Sequence, residues 1–275
     1  MSILKNKLTL AGTVIIILLV FAAIFAPVLV PHDPNAQSLN QALMGPCTDY
    51  PFGTDEFGRC ILSRIIFGAR ISLEIGLVVT AVSVAAGVAL GMVAGFYGGK
   101  TDEVIMRIVD IFLAFPGLIF ALVVAGLLGP GTLNVMIALA LVGWMSYARV
   151  VRGAVIAEKK KEFIETARSL GASDFYIMFR HLLPNIIAPV IVMASVGIGH
   201  AILAAASLSF LGLGAQPPAP VWGSMLSYGK SYLQTAPHLT IFPGLAIMVT
   251  VLAFNFLGDG LRDMLDPRLK KQSIE

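Results

Sequence analysis

Five stretches of this chain carry no charged side chain if histidine is counted as neutral: 8–32, 75–99, 111–148, 182–229 and 231–258. A helix needs roughly 20 apolar residues to cross a bilayer core. The first, second and fifth runs each hold one such helix. The third is long enough for two, and Gly129-Pro130-Gly131 in its middle signals a tight turn. The fourth holds one helix followed by a stretch rich in Gly and Pro. The pattern therefore predicts six transmembrane helices, at about 9–30, 74–97, 108–128, 133–151, 187–212 and 240–261.

The connections carry their own patterns. In 31–73, Ile61 and Ile65, with Leu62 and Ile66 beside them, share one face, while Arg59, Ser63, Arg64 and Arg70 lie elsewhere. That spacing predicts a short amphipathic helix on the membrane surface, either capping the bundle or meeting an external binding protein. In 212–239, Gln216-Pro217-Pro218-Ala219-Pro220 cannot form a regular helix, because prolines remove backbone donors and fix the backbone. This stretch is expected to fold over the mouth of the bundle, with Trp222 and Tyr228 as interfacial anchors.

Composition agrees with a lipid environment. The chain is 57% hydrophobic and 13% charged, with mean hydropathy +0.86. Soluble domains carry about 25% charged residues. The net charge of +3 gives no reason to expect a nucleic-acid partner. The basic residues do fix an expected direction. With the N-terminus inside, Lys5, Lys7, Lys100, Arg107, the seven cations of 149–180 and the four beyond 261 lie inside. Only Arg59, Arg64, Arg70 and Lys230 lie outside. That asymmetry predicts a multi-pass membrane protein with both termini and the polar break at 162–184 cytoplasmic. A cleaved signal peptide is disfavoured, because the first apolar run is long and lacks a small-x-small cleavage site. Cys47 and Cys60 define neither a metal knuckle nor a disulfide framework, and whether they pair is open.

The polar break at 162–184 is the most specific segment. Residues 162–170 suit a helix, Gly171 permits positive φ, and Ser173-Asp174 supplies a cap for a second helix reaching Pro184. Phe163, Phe175, Tyr176 and Phe179 are left for display. Local physics alone allows two readings, docking into a partner's groove or lying on lipid.

Glu165-Thr166-Ala167, Gly171, His181 and Leu183-Pro184 are spaced as in the EAA loop of bacterial ABC importer permeases, which the segment resembles. Further ordered motifs extend the resemblance to nearly the whole chain. They are Gly53-Thr54-Asp55-Glu56-Phe57-Gly58-Arg59, Arg107 to Asp110 with Phe115-Pro116, Ser209 to Gly214 with Trp222-Gly223, and Asn255 with Gly258 to Asp263 and Leu265 to Arg268. The chain is similar to the C-type permease of the dipeptide/oligopeptide/nickel class. Thr166 departs from the motif's Ala, and Cys60 stands where many relatives have Asp.

The resemblance implies an all-α membrane protein with the type I importer permease fold. It implies an N-terminal helix with an external segment (1–73), a five-helix core (74–262) containing a coupling loop (152–186), and a cytoplasmic tail (263–275). Implied partners are a B-type second permease, two ABC ATPases, an extracytoplasmic solute-binding protein and membrane lipid, in a bacterial or archaeal cytoplasmic membrane. ATP and Mg would be used by the ATPases, since this chain has no GxxxxGK[ST] sequence and is not expected to be an enzyme. Glu165, Ala167, Gly171, Phe175, Phe179, His181, Leu183 and Pro184 would couple it to the ATPase.

His200, expected in mid-span, is either a cargo or metal contact or a neutral side chain bonded to a neighbouring helix. Arg107 and Asp110 read as a structural pair at a helix entrance. Whether any metal binds is open, and His200 with Cys60 tilts the expected cargo toward nickel or a nickel chelate over di- or oligopeptides. The alternative is a secondary transporter or channel, which would call for inverted repeats and mid-span charges. A membrane enzyme would call for a catalytic constellation that the sequence does not display.

Overall fold

The computed structural model describes residues 7–265. The chain folds as helices: α1 (Lys7–Ile24), α2 (Ala26–Leu29), α3 (Ile61–Tyr97), α4 (Gly99–Leu113), α5 (Gly117–Leu128), α6 (Thr132–Glu158), α7 (Glu162–Ser169), α8 (Asp174–Tyr176), α9 (Leu183–Phe210), α10 (Trp222–Gly229) and α11 (His238–Leu265). The only extended pairing among the described residues is one bridge between Thr54 and Cys60. Five helices are long and apolar enough to cross a membrane, or six if the bent pair α4–α5 counts as one span. Most of the tail expected at 263–275 lies outside the described residues.

The most extensive helix pair is α3 with α6. Gly87, Gly91 and Gly95 of α3 recur every four residues and so share one face. A Cβ on Gly91 would stand 2.5 Å from the Ala148 carbonyl oxygen and 2.9 Å from Val151 Cβ; one on Gly95 would stand 2.8 Å from Val155 Cβ. The backbones therefore approach as only small residues permit, the usual basis of helix pairing where lipid competes for every apolar side chain. α1 packs on α11 by the same device, through Gly12 and Gly260.

Three expectations are corrected. The amphipathic stretch at 61–70 is no separate surface helix but the first turns of α3, which runs unbroken for 37 residues. Its length, about 55 Å, exceeds a roughly 30 Å bilayer core, so it projects beyond the core. Arg64, expected on a polar outer face, is buried and donates to the carbonyls of Pro34 (2.9 Å) and Pro218 (3.3 Å). Second, Trp222 is no interfacial anchor. It is 1% exposed at the start of α10, and its Nε1 donates to the Ile65 carbonyl at 3.0 Å. Third, the helix expected at 108–128 is two helices meeting at 87°. Pro116 lacks a backbone donor and disfavours helical geometry at Phe115, so the chain turns there. α4 is amphipathic. Asp102 and Asp110 pair with Arg152 (2.5 Å) and Arg149 (2.6 Å) of α6, while Val104, Ile108 and Ile111 remain exposed.

Asp55 organises the cap over the α3 N-terminus. It accepts from the Phe57 and Arg59 amides, each at 2.9 Å, and from Arg59 Nε at 2.6 Å, and lies 3.6 Å from Arg64 Nε. Burial, more than any neighbour, pushes the Glu56 carboxyl above its ordinary value. Cys47 is exposed and Cys60 buried, both as free thiols.

The seam makes a direct expectation. Gly91→Ala presses a methyl group on the α6 backbone and should cost about 1–3 kcal/mol. Gly153→Ala, in α6 with open space around it, should be neutral or stabilising by up to ~1 kcal/mol. Thermal unfolding in one detergent, comparing the two variants, checks this.

Candidate functional site

The loop at 162–184 is built from a helix stop, a cap and three buried anchors. α7 ends in a Schellman turn, in which the Gly171 amide donates to the Arg168 carbonyl (3.0 Å) and the Ala172 amide to the Ala167 carbonyl (3.1 Å). Gly171 takes φ +82°, the left-handed conformation that this turn requires. Ser173 caps α8, its Oγ accepting from the Tyr176 amide at 3.3 Å. Ile164, Ile177 and Leu182 are buried with Phe96 of α3 and Val151 and Val155 of α6 in one cluster. They fix the loop to the seam. Sequence reasoning passed over them, although an apolar position on each side of Gly171 was a readable signal.

With those anchors inward, the aromatics face out. Phe175 is 66% exposed and Phe179 50%, their rings 4.4 Å apart, with Tyr176 exposed beside them. His181 stands edge-on to Tyr176, with ring centroids at 5.4 Å. Glu165 is exposed on α7, while Ala167 and Leu183 pack against the cluster of anchors.

Pro184 was expected to end the second loop helix, and it does not. Ile177–Leu182 forms a π turn that runs into α9, and Pro184 lies in the first turn of that helix. A wider turn lets the helix pass a ring that would otherwise press on the carbonyl of Arg180, four residues back. The loop helix and the next membrane helix are thus one run, 174–210.

Farther along α9, His200 lines a cavity of about 560 Å³ between α3, α5, α6 and α9. Thr80, Ser83, Ser146 and Tyr147 supply the other polar groups, and no Asp, Glu, Lys or Arg lines it. Tyr147 Oη donates to the Met193 carbonyl at 3.3 Å. Gly143 and Gly197 leave room for Ser83 and Tyr147. His200 is exposed toward this space and has no hydrogen-bond partner among the described residues. Tyr147 and Ser146 were not singled out from sequence, because nothing in a helical pattern marks which face lines a void.

Arg107 does not pair with Asp110. The two are three positions apart, but Asp110 is drawn to Arg149 across the helix interface. The described residues contain no group of three or more His, Cys, Asp or Glu side chains that could hold a metal.

Known proteins show the same plan. The family described as binding-protein-dependent transport system inner membrane component matches residues 87–271, and the N-terminal TM domain of oligopeptide transport permease C matches residues 2–46. The dipeptide transport system permease protein DppC of Alkalihalophilus pseudofirmus is 46% identical over 97% of this chain and 88% of its own. The glutathione transport system permease protein GsiD of Pectobacterium atrosepticum is 46% identical over 97% of this chain and 89% of its own. A solved structure of the MetNI methionine ABC transporter in an inward-facing conformation has a chain with the same fold, at TM-score 0.56 and 20% identity, covering 75% of this chain and 98% of that one. Family members are non-catalytic permease subunits that work with other permease, ATPase and binding-protein subunits. The chain therefore belongs to the binding-protein-dependent transport system inner membrane components, as a C-type permease of the peptide ABC importers.

Proposed function

We propose that this chain forms half of the path by which an ATP-driven importer takes up short peptides, and that the 162–184 loop couples that path to an ATPase. The carrying observation is continuity. Phe175 and Phe179 stand exposed at one end of the run 174–210, and His200 faces the cavity farther along it. From Phe179 to His200 is 21 residues, about 30 Å of helix. A push on the aromatics would travel to the cavity wall along this one helical run, through the π turn and past Pro189. Apolar anchors at helical spacing suit a groove on the partner. Glu165 would meet the partner at the α7 face, and Gly171 would set the angle between the two loop helices.

The partners in this reading are a B-type permease, two ATPases that use ATP and Mg, and a solute-binding protein on the far side. Both termini and the coupling loop are cytoplasmic. The uncharged cavity suits a cargo with no net charge, such as a zwitterionic dipeptide. Relatives named for dipeptide and glutathione transport favour this over nickel. Nothing around His200 strengthens the metal reading, since among the described residues it belongs to no ligand group. His200, with Tyr147 beside it, is read as a polar contact for passing cargo.

Two experiments test this reading. Gly171→Pro, which removes the donor to Arg168 and the left-handed turn, should weaken co-purification of the ATPase about tenfold or more, equivalent to ~1.4 kcal/mol. Gly171→Asn, which tolerates positive φ, should retain it. Equal retention by both would count heavily against the docking role. In vesicles holding the complex with its co-encoded partners, ATP-driven uptake of a labelled dipeptide should exceed that of nickel. His200→Ala should slow the dipeptide about 2- to 10-fold, the scale of one lost polar contact. Nickel uptake without dipeptide uptake would reject the peptide reading.

A further inference from the structure

A second cavity, of about 450 Å³, opens at the loop end of the bundle between the last turn of α3, the last turn of α6 and α7. Its wall carries three cations, Lys159, Lys160 and Arg168, against one carboxylate, Glu165. Two of the cations are arranged by one buried ring. The Lys159 ammonium donates to the Phe96 carbonyl at the C-terminal end of α3 and lies 5.4 Å from the Phe96 ring centroid. The Arg168 guanidinium lies 5.7 Å from the same centroid. The carbonyl uses one of the three Lys159 donors. The side chains of Lys160 and Arg168 have no ion-pair or hydrogen-bond partner among the described residues. Gly95 and Gly98 line the floor. Three cations around a void, two of them pre-oriented, call for an anion, and guanidinium with ammonium donors suits phosphate oxygens.

The neighbouring residues indicate where that anion would come from. Tyr97, exposed beside Phe96, is the residue type that settles at a lipid headgroup level. α4 starts two residues later and leaves Val104, Ile108 and Ile111 exposed, as a helix lying in the interface plane does. The cavity floor thus sits where headgroups lie, and basic pockets at helix ends take anionic headgroups.

We propose that this cavity binds the phosphate of an anionic phospholipid headgroup and tethers α7, through Arg168, to the bilayer surface. The site rests on the chain's membrane placement and shares Glu165 with the ATPase-coupling reading, so the test reads lipid and ATPase separately. A lipid held here would restrain α7 through Arg168.

The test uses the full complex in nanodiscs of phosphatidylcholine with phosphatidylglycerol, followed by mild detergent extraction and native mass spectrometry. The wild type should retain phosphatidylglycerol over phosphatidylcholine by about tenfold, and Lys160→Gln/Arg168→Gln should reduce this to about twofold, a difference of ~1 kcal/mol. Lys160→Arg/Arg168→Lys, which keeps the charges, should retain the preference, as should Arg107→Gln, a cation outside the cavity. Equal retention of the two lipids by the wild type, or an unchanged preference in the glutamine variant, would overturn the proposal. Full displacement of phosphatidylglycerol by millimolar inorganic phosphate would make this a free-phosphate site instead. ATPase subunits are counted in the same spectra. If the glutamine variant loses ATPase while its lipid preference stands, the cations serve a protein partner and the proposal fails. Loss of ATPase in Gly171→Pro with the lipid preference intact would leave it standing.

Discussion

The close approach of α3 to α6 is the constraint on which the other features depend. Lipid tails are as apolar as leucine, so burying apolar side chains gives helices in a bilayer little reason to associate. Backbone proximity replaces that drive, and three glycines spaced by four provide it. Once the two helices meet, their ends define the ground on which the loop cluster of Ile164, Ile177 and Leu182 can settle. The middle of the same pair forms part of the cavity wall, where Gly143 of α6 makes room for Ser83 of α3. Loop and cavity are thus referred to one rigid seam.

α9 carries the second half of the account. A helix interrupted at Pro184 would leave the loop free to swing. The π turn at Ile177–Leu182 avoids that break, because the widened turn admits the proline without ending the helix. The α4–α5 junction does the opposite. At Pro116 the chain has no such relief and bends by 87°. One proline is absorbed and the other becomes a corner, and the difference separates the continuous run 174–210 from a short amphipathic helix stapled to α6 by Asp102 and Asp110.

Much of this was legible in the sequence. Charge-free runs located the five long apolar helices but not the 87° corner between α4 and α5, and Gly171 with Ser173 announced the loop's turn and cap. The misreadings have a common physical cause. Arg64 and Trp222 were assigned to surfaces on the strength of their side-chain chemistry, but each finds backbone carbonyls from distant segments: Pro34 and Pro218 for Arg64, Ile65 for Trp222. Arg107 and Asp110 were paired by proximity in sequence, whereas Asp110 found Arg149, 39 positions away. Long-range polar pairing leaves no trace in local periodicity. The cavity was invisible for the same reason, although His200, its one ionisable residue besides Tyr147, was found from its position in mid-span.

The central claim is that the loop and the cavity wall on α9 move as one body. Spin labels at Leu170, at the exposed tip of the loop, and Leu203, exposed on α9 beyond His200, report on it directly. Their distance should be measured by pulsed electron resonance in the assembled complex, without nucleotide and with ATP trapped. The account expects the same distance and width in both states. A shifted or broadened distribution with ATP would mean that the loop flexes against α9, and that the thrust of the ATPase reaches the cavity by another route.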